Sequence, residues 1–275
     1  MKIKVYGCRG SLAYSRDSYF GGNTSCIVLE NGKNVIILDA GSGIMKLESE
    51  LRKKYKDYPN NMSFEPIVIL SHLHLDHILG LVGFAPIWAE NTNAKIYTCS
   101  RSDTKTLKEQ VFDAFVPPYW PVHMEKHVQA KMVEINGTFE IGNLTITPFA
   151  ATHPDKTLSF HITDGVTSIV HLLDNEITPN AKNESSYTEL LFYSHNADLI
   201  VFDAAYLEKD YEQKIGYGHS TVQEGVILAN QCNCKHMLFA HYSQEYTDKE
   251  LEALKHIVPN DGRFIFATEG MEIDI

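Results

Sequence analysis

The stretch that most constrains the fold is Ser71-His72-Leu73-His74-Leu75-Asp76-His77, which sets three histidines and one aspartate within six residues. It follows the apolar run Pro66-Ile67-Val68-Ile69-Leu70, which reads as a buried strand. The strand ends where the histidines begin, and a strand end is where a fold presents side chains to a cleft. His72 and His74 are two apart, so in extended chain they point to the same side. Asp76 and His77 follow as the chain turns towards the apolar segment Ile78 to Phe84. Imidazole nitrogen and carboxylate oxygen suit zinc or a similar divalent ion. A single histidine would read as a core residue. A cluster this dense reads as a metal site.

The rest of the chain repeats the arrangement. Strands are expected over Ile3–Cys8, Cys26–Glu30, Asn34–Asp39, Ala94–Cys99, Ala130–Ile135, Thr138–Ile141, Leu144–Phe149, Thr157–Thr163, Val166–Leu173, Asp198–Phe202, Lys235–Ala240 and Arg263–Ala267. Helices are expected over Ile44–Tyr55, where Ile44, Leu47, Leu51 and Tyr55 form an apolar stripe, and over Ser102–Phe115. Others start from the capping box Ser186-x-x-Glu189, at Ser220 with Gln223, and from Thr247-x-x-Glu250. Metal-type residues recur at strand ends: His153, Asp174, Asp203 and His241. Spread this widely, they converge only if residues 1–275 form a single domain with its strand ends gathered. β-Rich segments alternating with helices in both halves point to an α/β fold, two mixed β-sheets flanked by helices in an αββα sandwich.

Composition narrows the partners. The chain has 275 residues and a formal net charge of -11. A protein gripping a long nucleic acid usually offers a basic surface that displaces counterions, so no such partner is expected. Arg52-Lys53-Lys54 reads as a solvated helix face. The opening Met1-Lys2-Ile3-Lys4-Val5-Tyr6 lacks a signal peptide's apolar run, and no stretch approaches the ~18 apolar residues of a membrane span. Cys8, Cys26, Cys99, Cys232 and Cys234 show no disulfide-scaffold spacing and read as reduced thiols, so a cytoplasmic location is expected. Pro117-Pro118-Tyr119-Trp120-Pro121 forms a stiff aromatic loop, either a packed connection or a wall over the site.

His-x-His-x-Asp-His after an apolar strand resembles the signature of the metallo-β-lactamase fold superfamily. The resemblance implies an αββα sandwich and a dinuclear metal site. Carried over position by position, His72, His74 and His153 would hold one ion, Asp76, His77 and His241 the second, and Asp174 would bridge them. Two divalent ions are implied, zinc first, with manganese and iron suited to the same donors. Such a pair polarises a phosphoryl oxygen and brings the pKa of bound water to about 7, and Asp76 would orient that water or take its proton.

Gly218-His219-Ser220-Thr221, Phe202-Asp203-Ala204-Ala205-Tyr206 and Ala240-His241-Tyr242-Ser243 resemble three segments of ribonuclease Z. That likeness gives His219 a place at the phosphate and Asp203 the task of orienting it. The long Gly/Pro-rich arm with which that family docks tRNA is missing. Gly7-Cys8-Arg9-Gly10-Ser11 with Tyr19-Phe20-Gly21-Gly22-Asn23-Thr24-Ser25 looks like a branch of small phosphodiesterases. That branch includes the anti-Pycsar enzymes with which phages destroy cyclic nucleotide messengers. The resemblance therefore implies hydrolysis of 3′,5′-cyclic CMP, UMP, AMP or GMP to 5′-monophosphates, and a homodimer. Its alternatives are a tRNA 3′ endonuclease and a phosphodiesterase for a cyclic ribosyl phosphate. A ligand-sensing module without turnover is disfavoured by the complete donor set.

Overall fold

The computed structural model describes residues 1–14, 17–177 and 184–275. Its first half carries strands β1 (Lys2–Gly7), β2 (Arg9–Gly10), β3 (Cys26–Asn31), β4 (Asn34–Leu38), β5 (Ile67–Ile69), β6 (Lys95–Thr98) and β7 (Lys131–Glu134). Helices α1 (Ile44–Lys54), α2 (Leu75–Ile78) and α3 (Leu107–Val111) lie between them. The second half carries β8 (Phe139–Ile141), β9 (Leu144–Ala150), β10 (Leu158–Thr163), β11 (Ser168–Leu172), β12 (Leu199–Asp203), β13 (His236–Ala240), β14 (Tyr242–Ser243), β15 (Phe264–Phe266) and β16 (Glu272–Asp274). Its helices are α4 (Glu184–Ser194), α5 (Glu208–Tyr211), α6 (Val222–Cys232) and α7 (Asp248–Leu254).

Two seven-stranded sheets result, ordered β16-β1-β3-β4-β5-β6-β7 and β15-β13-β12-β11-β10-β9-β8. In the first, an antiparallel entry through β1, β3 and β4 leads into the parallel run β4 to β7. In the second, an antiparallel entry through β9, β10 and β11 leads into the parallel run β11, β12, β13 and β15. Parallel strands buried on both faces explain the unbroken apolar runs of Ile67–Ile69 and Leu199–Phe202.

The sheets face each other through one core, in which Ile3, Ile27, Leu29 and Ile36 meet Ile146, Phe160, Ile162 and Ile169. Helix α1 covers the outer face of the first sheet with Ile44, Leu47 and Leu51 against Val28, Ile37 and Val68. On the second sheet, α6 comes so close that a Cβ at Gly225 would stand 2.5 Å from Phe239 and 2.9 Å from Phe202. The expected αββα sandwich is the observed architecture. Five free cysteines are buried in it. Among the described residues, no helix is long and apolar enough to cross a membrane.

Some expected boundaries move. The helix over Ser102–Phe115 shrinks to α3, capped by Thr106 and Glu109. The Gln110 side chain accounts for this: it accepts from the Arg101 amide and donates to the carbonyls of Ser102 and Lys105, holding that segment as a loop. Helix α4 starts at Glu184, so Ser186 lies inside its first turn, its hydroxyl 3.4 Å from that of Thr152. Helix α6 is capped by Thr221 and Glu224, one residue later than Ser220 and Gln223 suggest. The Ser220 hydroxyl is engaged elsewhere, donating to Asn175 O and accepting from Ile177 N. In the proline-rich loop Trp120 packs edge-on to Phe115, whereas Tyr119 is 83% exposed. The C-terminal strand β16, which crosses back to pair with β1, was not expected at all.

One buried cation ties the ends of the two sheets together. Arg9 has no exposed surface and donates to the carbonyls of Gly21, Ser243 and Tyr246 at 2.9–3.3 Å. It anchors β2 beside β14, and so places Gly10 and Ser11 under His241 and Asp76.

Gly225→Val forces a side chain into the helix–sheet contact at Phe202 and Phe239. Overpacking of this kind costs about 1–3 kcal/mol. Urea unfolding should show a lower midpoint with an unchanged slope.

Candidate metal centre

The parallel strands of both sheets end at one edge, and the chemistry-bearing residues sit there. His72 and His74 follow β5, and Asp76 and His77 form the first turn of α2. His153 lies between β9 and β10, and Asp174 follows β11. Asp203 closes β12, His219 precedes α6, and His241 follows β13. Three of the strand ends turn in the same way: Asp39, Asp174 and His241 adopt left-handed backbone angles, φ 59, 54 and 65. Such residues cost of order 1–3 kcal/mol and gather at functional sites. Here the turn swings each side chain across the strand end into the shared cleft.

All seven residues expected to hold metal come together, in two sets that share Asp174. Its two oxygens divide between the sets. Oδ1 stands 3.7 Å from His72 Nε2 and 3.9 Å from His153 Nε2. Oδ2 stands 3.0 Å from His77 Nε2 and 3.3 Å from His241 Nε2. Asp76 Oδ2 completes the second set, 3.3 Å from His77 Nε2 and 3.4 Å from His241 Nε2. His74 joins the first through Nδ1, 3.3 Å from His153 Nε2.

The donors fit divalent ions. His72 Nε2, His77 Nε2, His241 Nε2 and Asp174 Oδ2 are buried and have no hydrogen-bond partner. A buried polar atom left unmatched costs about 1–3 kcal/mol. A tetrahedral ion with ligands at about 2.0–2.1 Å holds its donors roughly 3.3 Å apart. The four contacts in the second set measure 3.0–3.4 Å.

The outer ring nitrogens of His153 and His72 are held by hydrogen bonds, and those of His77 and His241 lie beside carboxylates. His153 Nδ1 donates to Gly218 O at 3.0 Å, and His72 Nδ1 meets Ser71 Oγ at 3.1 Å. Ser71 Oγ in turn donates to Asp39, whose Oδ2 stands 2.9 Å from His77 Nδ1. His241 Nδ1 stands 3.4 Å from Asp203 Oδ2. Outer contacts of this kind set tautomer and ring orientation in metal sites. Asp203 also accepts from His219 Nδ1 at 2.8 Å and from the amide of Asp174 at 2.9 Å. His219 is thereby left with Nε2 for an oxygen in the cleft.

The electrostatics divide the histidines. Burial, and next the neighbouring His77, pushes His72 well below its ordinary pKa. Burial also lowers His74 and His153. Burial opposes charge on His77 and His241 too, but the facing carboxylates win. They raise His77 well above its usual value and His241 to about 10. Asp174 is held well below the carboxylate range, because His241, His77 and His72 outweigh its burial. His219 is raised: burial works against the charge and Asp203 prevails.

Sequence reasoning missed four residues here. Asp39 orients His77, and Ser71 orients His72. The Ser11 amide donates to Asp76 Oδ2 at 2.8 Å. Asp155 lies 3.8 Å from His74 Nε2 and also pairs with Arg101. Asp39 carried a usable signal, since it ends an apolar strand as Asp174 and Asp203 do.

Residues 34–242 match the family described as the beta-lactamase superfamily domain, more than half of the chain, and the chain belongs to that family. It is a metallo-β-lactamase-fold hydrolase, a fold that implies divalent metal ions. Ribonuclease Z of Azobacteroides pseudotrichonymphae genomovar. CFP2 is 24% identical, over 100% of this chain and 98% of the relative. Among solved structures, the metallo-β-lactamase fold protein YhfI of Bacillus subtilis superimposes with a TM-score of 0.72 at 20% identity, covering 99% of this chain and 98% of its own. A diphosphatase of the PhnP family gives a TM-score of 0.72 at 17% identity, with 100% and 97% covered.

Metal ligation needs neutral imidazole, so protons held by His77 and His241 must leave when an ion enters. Both pKa values are raised, so apparent affinity for zinc should rise with pH through neutrality. Titration calorimetry at pH 7 in buffers of different ionisation enthalpy should record proton release. Affinity independent of pH would contradict this charge distribution.

Proposed function

We propose that this member of the beta-lactamase superfamily is a dinuclear metal-dependent phosphodiesterase that opens 3′,5′-cyclic nucleotides to 5′-nucleoside monophosphates. The observation that carries the phosphodiester reading is the Asp203–His219 pair, with His219 Nδ1 2.8 Å from Asp203 and 3.9 Å from Asp174. A histidine so anchored beside the metal set serves a phosphate with a poor leaving group. The net charge of -11 favours a small anion over a long one.

In this reading His72, His74 and His153 would hold one ion and Asp76, His77 and His241 the other, with Asp174 shared by both sets. Zinc, with borderline-soft character and nitrogen and oxygen donors, is the first choice. Bound there, the ions supply Lewis-acid charge to the phosphate oxygens and make water more acidic. Asp76, fixed by the Ser11 amide, orients the attacking water and accepts its proton. The water oxygen bonds to phosphorus as the bond to the 3′ oxygen breaks. His219 Nε2 gives that oxygen its proton, and Asp203 stabilises the imidazolium that precedes the transfer. The chain works as a homodimer, a point supported by resemblance to the cyclic-nucleotide branch. A role in phage evasion of cyclic-nucleotide signalling is supported in the same way.

A second reading is a tRNA 3′ endonuclease on the same chemistry, favoured by the end-to-end match to a ribonuclease Z.

Metal-loaded protein incubated with cyclic AMP, GMP, CMP and UMP should yield 5′-monophosphates, seen by chromatography. Asp76→Ala should lower turnover by at least about 100-fold, the scale of lost acid–base help. No conversion of any of the four, with cleavage of precursor tRNA, would transfer the assignment to the second reading.

A further inference from the structure

We infer that Glu176 is a positioning residue that sets His219 at the leaving oxygen. This rests on the reading of the site as a phosphodiesterase with His219 on that side. Glu176 follows Asp174 by two positions and is 6% exposed. Its amide donates to Thr152 O at 2.9 Å, next to His153. Its carboxylate turns the other way, into the loop before His219. Gly216 N donates to both oxygens at 2.9 Å, and Gly218 N donates to Oε2 at 2.9 Å.

Gly216 and Gly218 both have positive φ, 89 and 87, which aims their amides at a single anion as in backbone nests. The same loop is fixed on its far side. Gly218 O receives His153 Nδ1 at 3.0 Å, and Ser220 Oγ donates to Asn175 O at 2.7 Å. A side chain at 218 has no room, because its Cβ would stand 2.1 Å from His153 Nδ1. The segment Asp174-Asn175-Glu176 therefore holds a metal-type carboxylate at one end and the His219 loop at the other. Asp203 sets the direction of the His219 ring, and Glu176 sets where its backbone stands.

Leaving-group dependence tests this. A phenolate leaving group profits from a proton supplied by His219, whereas p-nitrophenolate leaves without one. Zinc-loaded wild type, Glu176→Ala, Glu176→Gln, His219→Ala and the Glu176→Ala/His219→Ala double variant are assayed on methyl phenyl phosphate and methyl p-nitrophenyl phosphate. Zinc content and unfolding midpoint are measured alongside.

Glu176→Ala should lower kcat on the phenyl ester about 10- to 100-fold, the scale of a lost supporting contact, with KM nearly unchanged. The p-nitrophenyl ester should lose less than about 3-fold, since it needs no proton. Adding Glu176→Ala to His219→Ala should cost nothing more. Glu176→Gln, which keeps one acceptor oxygen, should recover part of the loss. If Glu176→Ala does not fold, the ester comparison on Glu176→Gln decides.

Equal losses on both esters, a further loss in the His219→Ala background, or activity falling in step with zinc content would each overturn the assignment. Wild type that cleaves both aryl diesters but opens no cyclic nucleotide would overturn the substrate reading alone. Wild type that cleaves neither would overturn both.

Discussion

Asp174 is the residue on which the site depends. Its two oxygens are shared between two sets of imidazoles, and it is buried with one oxygen unmatched. Asp76 and Asp203 stand within the same cleft, and several imidazole nitrogens point inward without a hydrogen-bond partner. A buried group of charges is tolerated only when paired, and the protein alone does not complete the pairing. Divalent ions, which the fold implies, would complete it. The left-handed turns at Asp39, Asp174 and His241 add a cost of the same sign. Local strain and unmatched donors therefore coincide at one edge of the sheets, where bound ions would offset both.

The topology explains how residues so far apart in the chain meet. Each half runs an antiparallel entry into four parallel strands, and the parallel ends of both sheets open on one cleft. In open α/β sheets that carboxyl edge is where ligands bind. The first half supplies the dense motif after β5, and the second supplies single residues after β9, β11, β12 and β13. Buried Arg9 keeps the two edges in register by holding carbonyls from both ends of the chain.

The fold class was legible in the alternation of strands and helices and the dense cluster in His72–His77, whereas the places of His153, Asp174 and His241 came from the family resemblance. Four donors in His72–His77 cannot be mistaken for core, and apolar strands ending in Asp or His mark one edge. The supporting residues were not legible. Asp39 works through a left-handed backbone, and Ser11 acts through its amide. Glu176 accepts from glycines some forty residues away in sequence. Side-chain identity says little about any of these roles. Two of the displaced helix starts follow local capping signals that lie beside the expected ones. Helices α3 and α6 each begin at a Thr-x-x-Glu capping box, Thr106 with Glu109 and Thr221 with Glu224, while the side chains of Gln110 and Ser220 are engaged outside the helix. The repeated topology of the halves is also hidden, because pairing order leaves no trace in periodicity.

The shared role of Asp174 is tested most directly by anomalous diffraction from crystals of metal-loaded protein, collected on both sides of the zinc absorption edge. Two ions are expected in the cleft, one touched by Asp174 Oδ1 and the other by Asp174 Oδ2. Either a single ion, or two ions with Asp174 bound to only one of them, would contradict it.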